Sequence, residues 1–265
     1  MPTDGIGKSY MSVLRTVYNR ALSAESRYWI YKLRHAKEFQ HLRERVYRHP
    51  KADFSLKGCA EREAIFVHIT KAAGTSIALS LFGALPYHYT AWQYRVIFGH
   101  KAFNRYFKFT FVRNPWDRLY SAYSYLNNGG WDEYDRRWAE KNLADVATFD
   151  EFVLDWLTPE RLYSHIHLWP QNWFVLDAKD RLLVDYLGYF ETIGEDFSLI
   201  ASRVNPTASL KHTNASPRND YRSVYSGDAI ERVASLYGKD IALFGYQFDG
   251  LKRKRVERGG LVDDV

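Results

Sequence analysis

Apolar positions along this chain change their spacing more than once. Between residues 9 and 48 they fall at mixed helical intervals, at Val13, Val17 and Leu22 and then at Trp29, Ile30, Leu33, Leu42 and Val46. No Pro or Gly interrupts them, which predicts one or two amphipathic helices. His49-Pro50 closes that stretch, and a polar linker runs to Gly58. The spacing then collapses into the continuous run Ala64-Ile65-Phe66-Val67-His68-Ile69, short and rich in β-branched residues, as expected of a strand buried on both faces of a parallel sheet. A polar loop, Thr70 to Ser76, leads into Ile77–Phe82, a predicted helix stopped at Gly83.

That strand, loop and helix order recurs. Phe107 to Arg113 reads as a second strand, Asn114 as the N-cap and Pro115 as the first residue of a helix that continues from Trp116 to Leu126. Gly129-Gly130 breaks it, helices are predicted over 131–145, 149–157 and 228–244, and Leu182–Tyr189 supplies a further strand. Strands alternating with helices predict an α/β fold, a P-loop-type parallel sheet flanked by helices, with an N-terminal helical arm. The boundaries expected are a basic arm and linker over 1–60, a catalytic body over 61–250 and a polar C-terminal tail over 251–265. In such sheets ligands bind beyond the carboxyl ends of the strands, where both loops sit.

Composition narrows the classes. The chain has 265 residues, 46% apolar and 17% aromatic, enough for one substantial core and unlike a disordered chain. Its single cysteine, Cys59, excludes an internal disulfide and a Cys-based zinc site. No stretch approaches the roughly 18–20 apolar residues that span a bilayer, and the first residues lack the apolar core of a signal peptide, so the expected location is cytoplasmic. The net charge of +6 is uneven: ten Lys/Arg and four Asp/Glu fall within residues 1–50, and the remainder balances. The arm is thus either a solvated basic face or a contact for anionic surfaces.

Two loops carry candidate chemistry. In Lys71-Ala72-Ala73-Gly74-Thr75-Ser76 a glycine permits close approach of an anion to the backbone, the N–H groups opening the next helix face outward, and Lys71 adds a mobile charge. The order Lys-x-x-Gly-Thr-Ser differs from the common GxxxxGK[ST] phosphate loop, and a turn that only caps its helix remains an alternative. In the second loop Arg113 ends a strand and Ser121 lies two helical turns on, so a planar guanidinium and a hydroxyl face one anion. Asp117 and Arg118 read as an internal ion pair or as surface charges.

FVHITKAAGTSI followed by KFTFVRNPWDRLYSAYSYL resembles the two signatures for 3′-phosphoadenosine 5′-phosphosulfate (PAPS) in carbohydrate sulfotransferases, of the branch that includes chondroitin 4-O-, HNK-1 and heparan or uronyl 2-O-sulfotransferases. The resemblance extends through HLWPQNWFV, DYLGYFETIGEDFSLI, HTNAS and DIALFGYQF, roughly residues 64–248. It implies a PAPS-dependent O-sulfotransferase with no metal requirement, acting on a hydroxylated acceptor, a glycan. Lys71, Ala72, Ala73, Gly74, Thr75 and Ser76 would then hold the phosphosulfate, with Lys71 stabilising the leaving oxygen. Arg113 and Ser121 would bind the 3′-phosphate, with Ser216 and Arg218 as further nucleotide contacts.

Such a transfer needs a proton acceptor. The resemblance points to His100, in Ile97-Phe98-Gly99-His100, because 2-O-sulfotransferases carry a catalytic His in a similar Gly-His segment. His68 reads as a core residue within the first strand, and His165 and His167 either line an acceptor groove or serve the structure. No metal-ligand cluster is evident in the sequence. Two competing classes make opposite demands. A Mg²⁺-dependent P-loop kinase needs GK[ST] and an acid after a strand, where Arg113 stands instead. A non-enzymatic binder of nucleic acid or anionic polymer needs basic residues interleaved with exposed aromatics, whereas the excess charge lies in the arm.

Overall fold

The aliphatic and aromatic runs pair into a three-stranded parallel sheet in the order β1 (Ala64–Val67), β2 (Phe107–Val112), β3 (Tyr186–Tyr189). The computed structural model describes residues 24–34, 36–44, 54–210, 220–257 and 260–263. β1 and β2 are buried at every position, as parallel strands covered on both faces must be. Phe66 aligns with Phe109 and Phe111 with Gly188, so all three strands end at one edge.

Side-chain alternation along the strands feeds two layers. Ala64, Phe66, Phe107, Phe109 and Phe111 pack against α4 (Gly74–Phe82) and α11 (Ile193–Val204). Ile65, Val67 and Val112 pack on the opposite face, against α5 (Ala91–Phe98) and α10 (Asn172–Val175). A third cluster joins α7 (Pro115–Asn127), α8 (Glu133–Asn142) and α12 (Gly227–Leu236) around Leu119, Phe152 and Val233. Asn114 caps α7 through its side chain, and Pro115 occupies the first turn, as their order in sequence predicts.

Several elements differ from the sequence expectation. Residues 228–244 form two helices, α12 and α13 (Gly238–Phe244). The predicted helix over 149–157 is one helical turn, α9 (Phe149–Glu151), followed by a π turn over Phe152–Trp156. Helices α5 and α11 were not anticipated: α5 lacks a sharp apolar period, whereas α11 carries one in Ile193, Phe197, Ile200, Ala201 and Val204. The polar tail is an ordered hairpin of β4 (Lys254–Glu257) and β5 (Gly260–Asp263). Tyr189 and Asp196 hold it, through the Lys254 backbone at 2.8 Å and Arg253 at 2.7 Å, and these long-range polar bonds leave no periodic signal. Within the predicted arm and linker, α1 (Ala24–Arg34) and α2 (Ala36–Glu44) are helical, and 1–23, 35 and 45–53 lie outside the described residues. The expected polar linker instead ends in α3 (Lys57–Glu61), where Leu56 and Cys59 are buried in the core. Among the described residues no helix is long and apolar enough to cross a membrane.

Candidate active site

Both predicted loops leave the sheet at the same carboxyl edge, one after β1 and the other after β2. They touch there: Arg113 Nη1 donates to the Lys71 carbonyl at 2.9 Å, while its Nε pairs with Asp117 Oδ2 at 2.7 Å. Asp117 therefore serves the internal ion pair anticipated for it, though with Arg113 and not with Arg118. Burial raises the Asp117 pKa, and the Arg113 charge opposes that rise. The Arg113 guanidinium stacks 4.0 Å over Phe190, and its Nη2, buried, has no hydrogen-bond partner. Gln171 clamps the Arg113 backbone from both sides, at 3.0 and 2.8 Å, and buried Asp240 in turn accepts the Gln171 and Asn172 N–H groups.

The first loop has an unusual backbone. Lys71 (φ 65) and Ala73 (φ 59) both lie in the left-handed region, which costs a residue with a Cβ and gathers successive N–H groups into an anion-binding concavity. Ala73 caps α4 without a side-chain bond, so the helix start carries no built-in oxygen to satisfy it. Gly74 itself is helical. Its missing Cβ would fall 1.8 Å from His68 Cδ2, so the glycine admits the buried His68 ring. This packing role stands beside the anion approach expected of Gly74 from the sequence. Thr75 is half-buried and Ser76 buried. Ser121 lies between Asp117 and Tyr125 at four-residue intervals on α7, hence on the face that meets both loops.

Around Lys71 the fold gathers groups that no single motif contains. Its Nζ lies 4.0 Å from the centre of the Tyr125 ring. Burial lowers the Lys71 pKa to about 8, with Arg113 adding to the effect and Asp135 opposing it. Tyr125 meets the His167 ring edge-on at 4.7 Å, and the His68, His88 and His167 rings follow one another at 4.2 and 6.2 Å. His88 Nδ1 donates to the His68 carbonyl at 2.9 Å, which leaves the lone pair on Nε2 when the ring is neutral. Burial lowers the His88 pKa, Lys71 adds to that shift, and the His68 carbonyl and Asp135 oppose it. Burial also holds His167 well below the usual imidazole range, assisted by His88, His165 and Lys71. His88 is half-buried, whereas His68, His165 and His167 are buried.

His100 stands elsewhere. It opens α6 (His100–Arg105), which feeds the amino end of β2, where Arg105 pairs with Glu63 just ahead of β1. Its ring meets Asn104 at 3.2 Å. Among the described residues no hydrogen bond or ring contact joins His100 to the groups around Lys71. The half-buried imidazole that the structure does bring there is His88, seventeen residues after Lys71, and the one available signal was its place in Tyr87-His88-Tyr89-Thr90 between the two loops. Ser216 and Arg218 lie outside the described residues.

Asp135, His165 and His167 have metal-ligand chemistry, with ligand atoms within 4.8 Å of one another, a grouping assembled from α8 and a distant turn that sequence spacing does not reveal. Asp135 and His165 are already engaged, since Asp135 accepts from Tyr125, Trp131 N–H and His165. Buried Arg118 binds the carbonyls of Thr70, His167 and Trp169, tying this turn to the first loop.

Comparison with known proteins agrees with this arrangement. The profile described as the sulfotransferase family matches residues 91–247, more than half the chain, including Arg113 and beginning after the Lys71 loop. An uncharacterized protein of Archaeoglobus fulgidus is 29% identical over 136 residues, covering 51% of this chain and 98% of that protein. No solved structure matches significantly.

Proposed function

Because the chain belongs to the sulfotransferase family, we propose that it carries the sulfuryl group of PAPS to a hydroxyl of a carbohydrate acceptor. The observation that supports this reading best is the bond between Arg113 and the Lys71 carbonyl, which sets two cations at one sheet edge. A single nucleotide with anionic groups at its 5′ and 3′ positions needs that pairing. The residues present fit such a ligand: an unpartnered buried Nη2 on Arg113, a helix start without a side-chain cap, and two left-handed residues before it. The match over residues 91–247 does not reach the first loop, so its assignment rests on this geometry and on its sequence.

PAPS supplies an electrophilic sulfur attached to a phosphate leaving group. In the reading proposed, Lys71 and the first N–H groups of α4 hold the 5′ end, and the ammonium balances charge on the departing oxygen. Arg113 and Ser121 hold the 3′-phosphate, with Ser216 and Arg218 as further contacts. His88 Nε2 takes the proton of the acceptor hydroxyl as its oxygen bonds to sulfur, a role for which a neutral ring with Nδ1 committed to a carbonyl is suited. Trp131 and Tyr134, 68% and 63% exposed beside this edge, offer ring faces to a sugar.

The test is transfer of label from [³⁵S]PAPS to a panel of hydroxylated glycans and simple alcohols, with mass spectrometry of the product, in the presence and absence of EDTA. Labelled sulfate ester on a glycan, undiminished by EDTA, is the expected result. Binding of ATP with Mg²⁺ but not of PAPS would replace this reading with that of a kinase.

A further inference from the structure

We propose that Asp135 is a positioning residue for Lys71: by gripping Tyr125 and His165 it fixes the aromatic seat of the ammonium and sets a carboxylate behind it. The inference rests on the proposed role of Lys71 in transfer, but its geometry stands apart from that role. Asp135 lies in the first turn of α8, outside both loop motifs, and is buried. One oxygen accepts the Tyr125 hydroxyl at 2.5 Å and the Trp131 N–H at 3.0 Å; the other accepts His165 Nε2 at 3.2 Å. His165 is oriented as well, because its Nδ1 accepts the His167 N–H at 3.3 Å and the ring proton must then sit on Nε2.

Room for this carboxylate is made by Gly130, at φ +69, where a Cβ would lie 2.2 Å from Asp135 Cβ. A side chain needed only to start α8 would not require that exclusion, since Asp132 already caps the helix. Burial raises the Asp135 pKa, but the bonds from His165, Trp131 and Tyr125 outweigh it and hold the carboxyl well below its usual range. Among the described residues, the charged or titratable groups facing Lys71 are Tyr125 from α7, Arg113 from the β2 edge, His88 from the segment before α5, His167 from the turn before α10, and Asp135 from α8. Asp135 is the one carboxylate among these described groups. Its loss leaves burial and Arg113 unopposed.

The experiment is competitive labelling of Lys71 in the full chain with acetic anhydride across pH, read by mass spectrometry of its peptide. Asp135→Asn keeps the shape and removes the charge, and it should move the Lys71 labelling midpoint to lower pH than in the unaltered protein. A folded Asp135→Asn protein with an unmoved midpoint would show that Asp135 serves structure alone. Should Asp135→Asn fail to fold, Tyr125→Phe retains the ring and removes its tether. It should raise the limiting labelling rate of Lys71 several-fold, and an unchanged rate overturns the proposal. Because labelling needs neither PAPS nor an acceptor, a protein that transferred no sulfate would defeat the functional reading while the midpoint still decided the role of Asp135.

Discussion

A methyl group at residue 74 tests whether the histidine behind the first loop is locked in place. Gly74 has ordinary helical backbone, so an alanine there meets no conformational barrier of its own. Its Cβ would instead lie 1.8 Å from His68 Cδ2 and 2.0 Å from Nε2. The His68 ring cannot swing clear, because Phe66 stacks at 5.4 Å and His88 lies at 4.2 Å. Overpacking of this kind costs about 1–3 kcal/mol, and the helix preference of Ala over Gly returns at most about 1 kcal/mol. A net loss of roughly 1–2 kcal/mol lowers Tm by roughly 2–8 °C in a chain of this size. Removing the ring first should remove the cost: in a His68→Ala background Gly74→Ala becomes neutral or stabilising, giving a coupling of about 1–3 kcal/mol. Thermal and urea melts of the four proteins, followed by circular dichroism, measure that cycle. An equal cost in both backgrounds would refute the argument from the ring.

Three further outcomes follow from the site. His88→Ala should abolish most turnover while PAP (3′,5′-adenosine bisphosphate) still binds, and His100→Ala should leave turnover nearly intact; the reverse pattern would return the base to the Gly-His segment. Arg113→Ala should weaken PAP binding by roughly 1.5–3 kcal/mol, about ten- to a hundredfold by calorimetry, and affect adenosine 5′-phosphosulfate much less, since that ligand lacks the 3′-phosphate. Turnover should fall as pH rises through about 8, where Lys71 loses its proton, and fall again at acid pH as His88 gains one. Lys71→Arg should remove the alkaline limb whatever it does to the maximum, because a guanidinium stays charged there.

What the chain determined by itself is local. Ala64–Val67 is a continuous apolar run and Phe107–Val112 alternates Phe107, Phe109 and Phe111 with Lys108 and Thr110, both strand patterns, and Asn114-Pro115 supplies the N-cap and first-turn proline of α7. From two such units the edge bearing Lys71 and Arg113 followed, and with it the family. The neighbours of Lys71 were a different matter. His88 was overlooked because a lone histidine between two aromatic residues carries no period. Gly-His at residue 100 resembles a segment of the 2-O-sulfotransferases, but the His100 ring meets Asn104 within α6. Asp135 lies within the predicted helix over 131–145 with no local signal of its role, which comes from its contacts with Gly130 and Tyr125. Spacing along a chain reports contacts made within a few turns of itself. Burial, ring tautomers and the charge felt by a lysine depend on groups from four segments that only packing brings together.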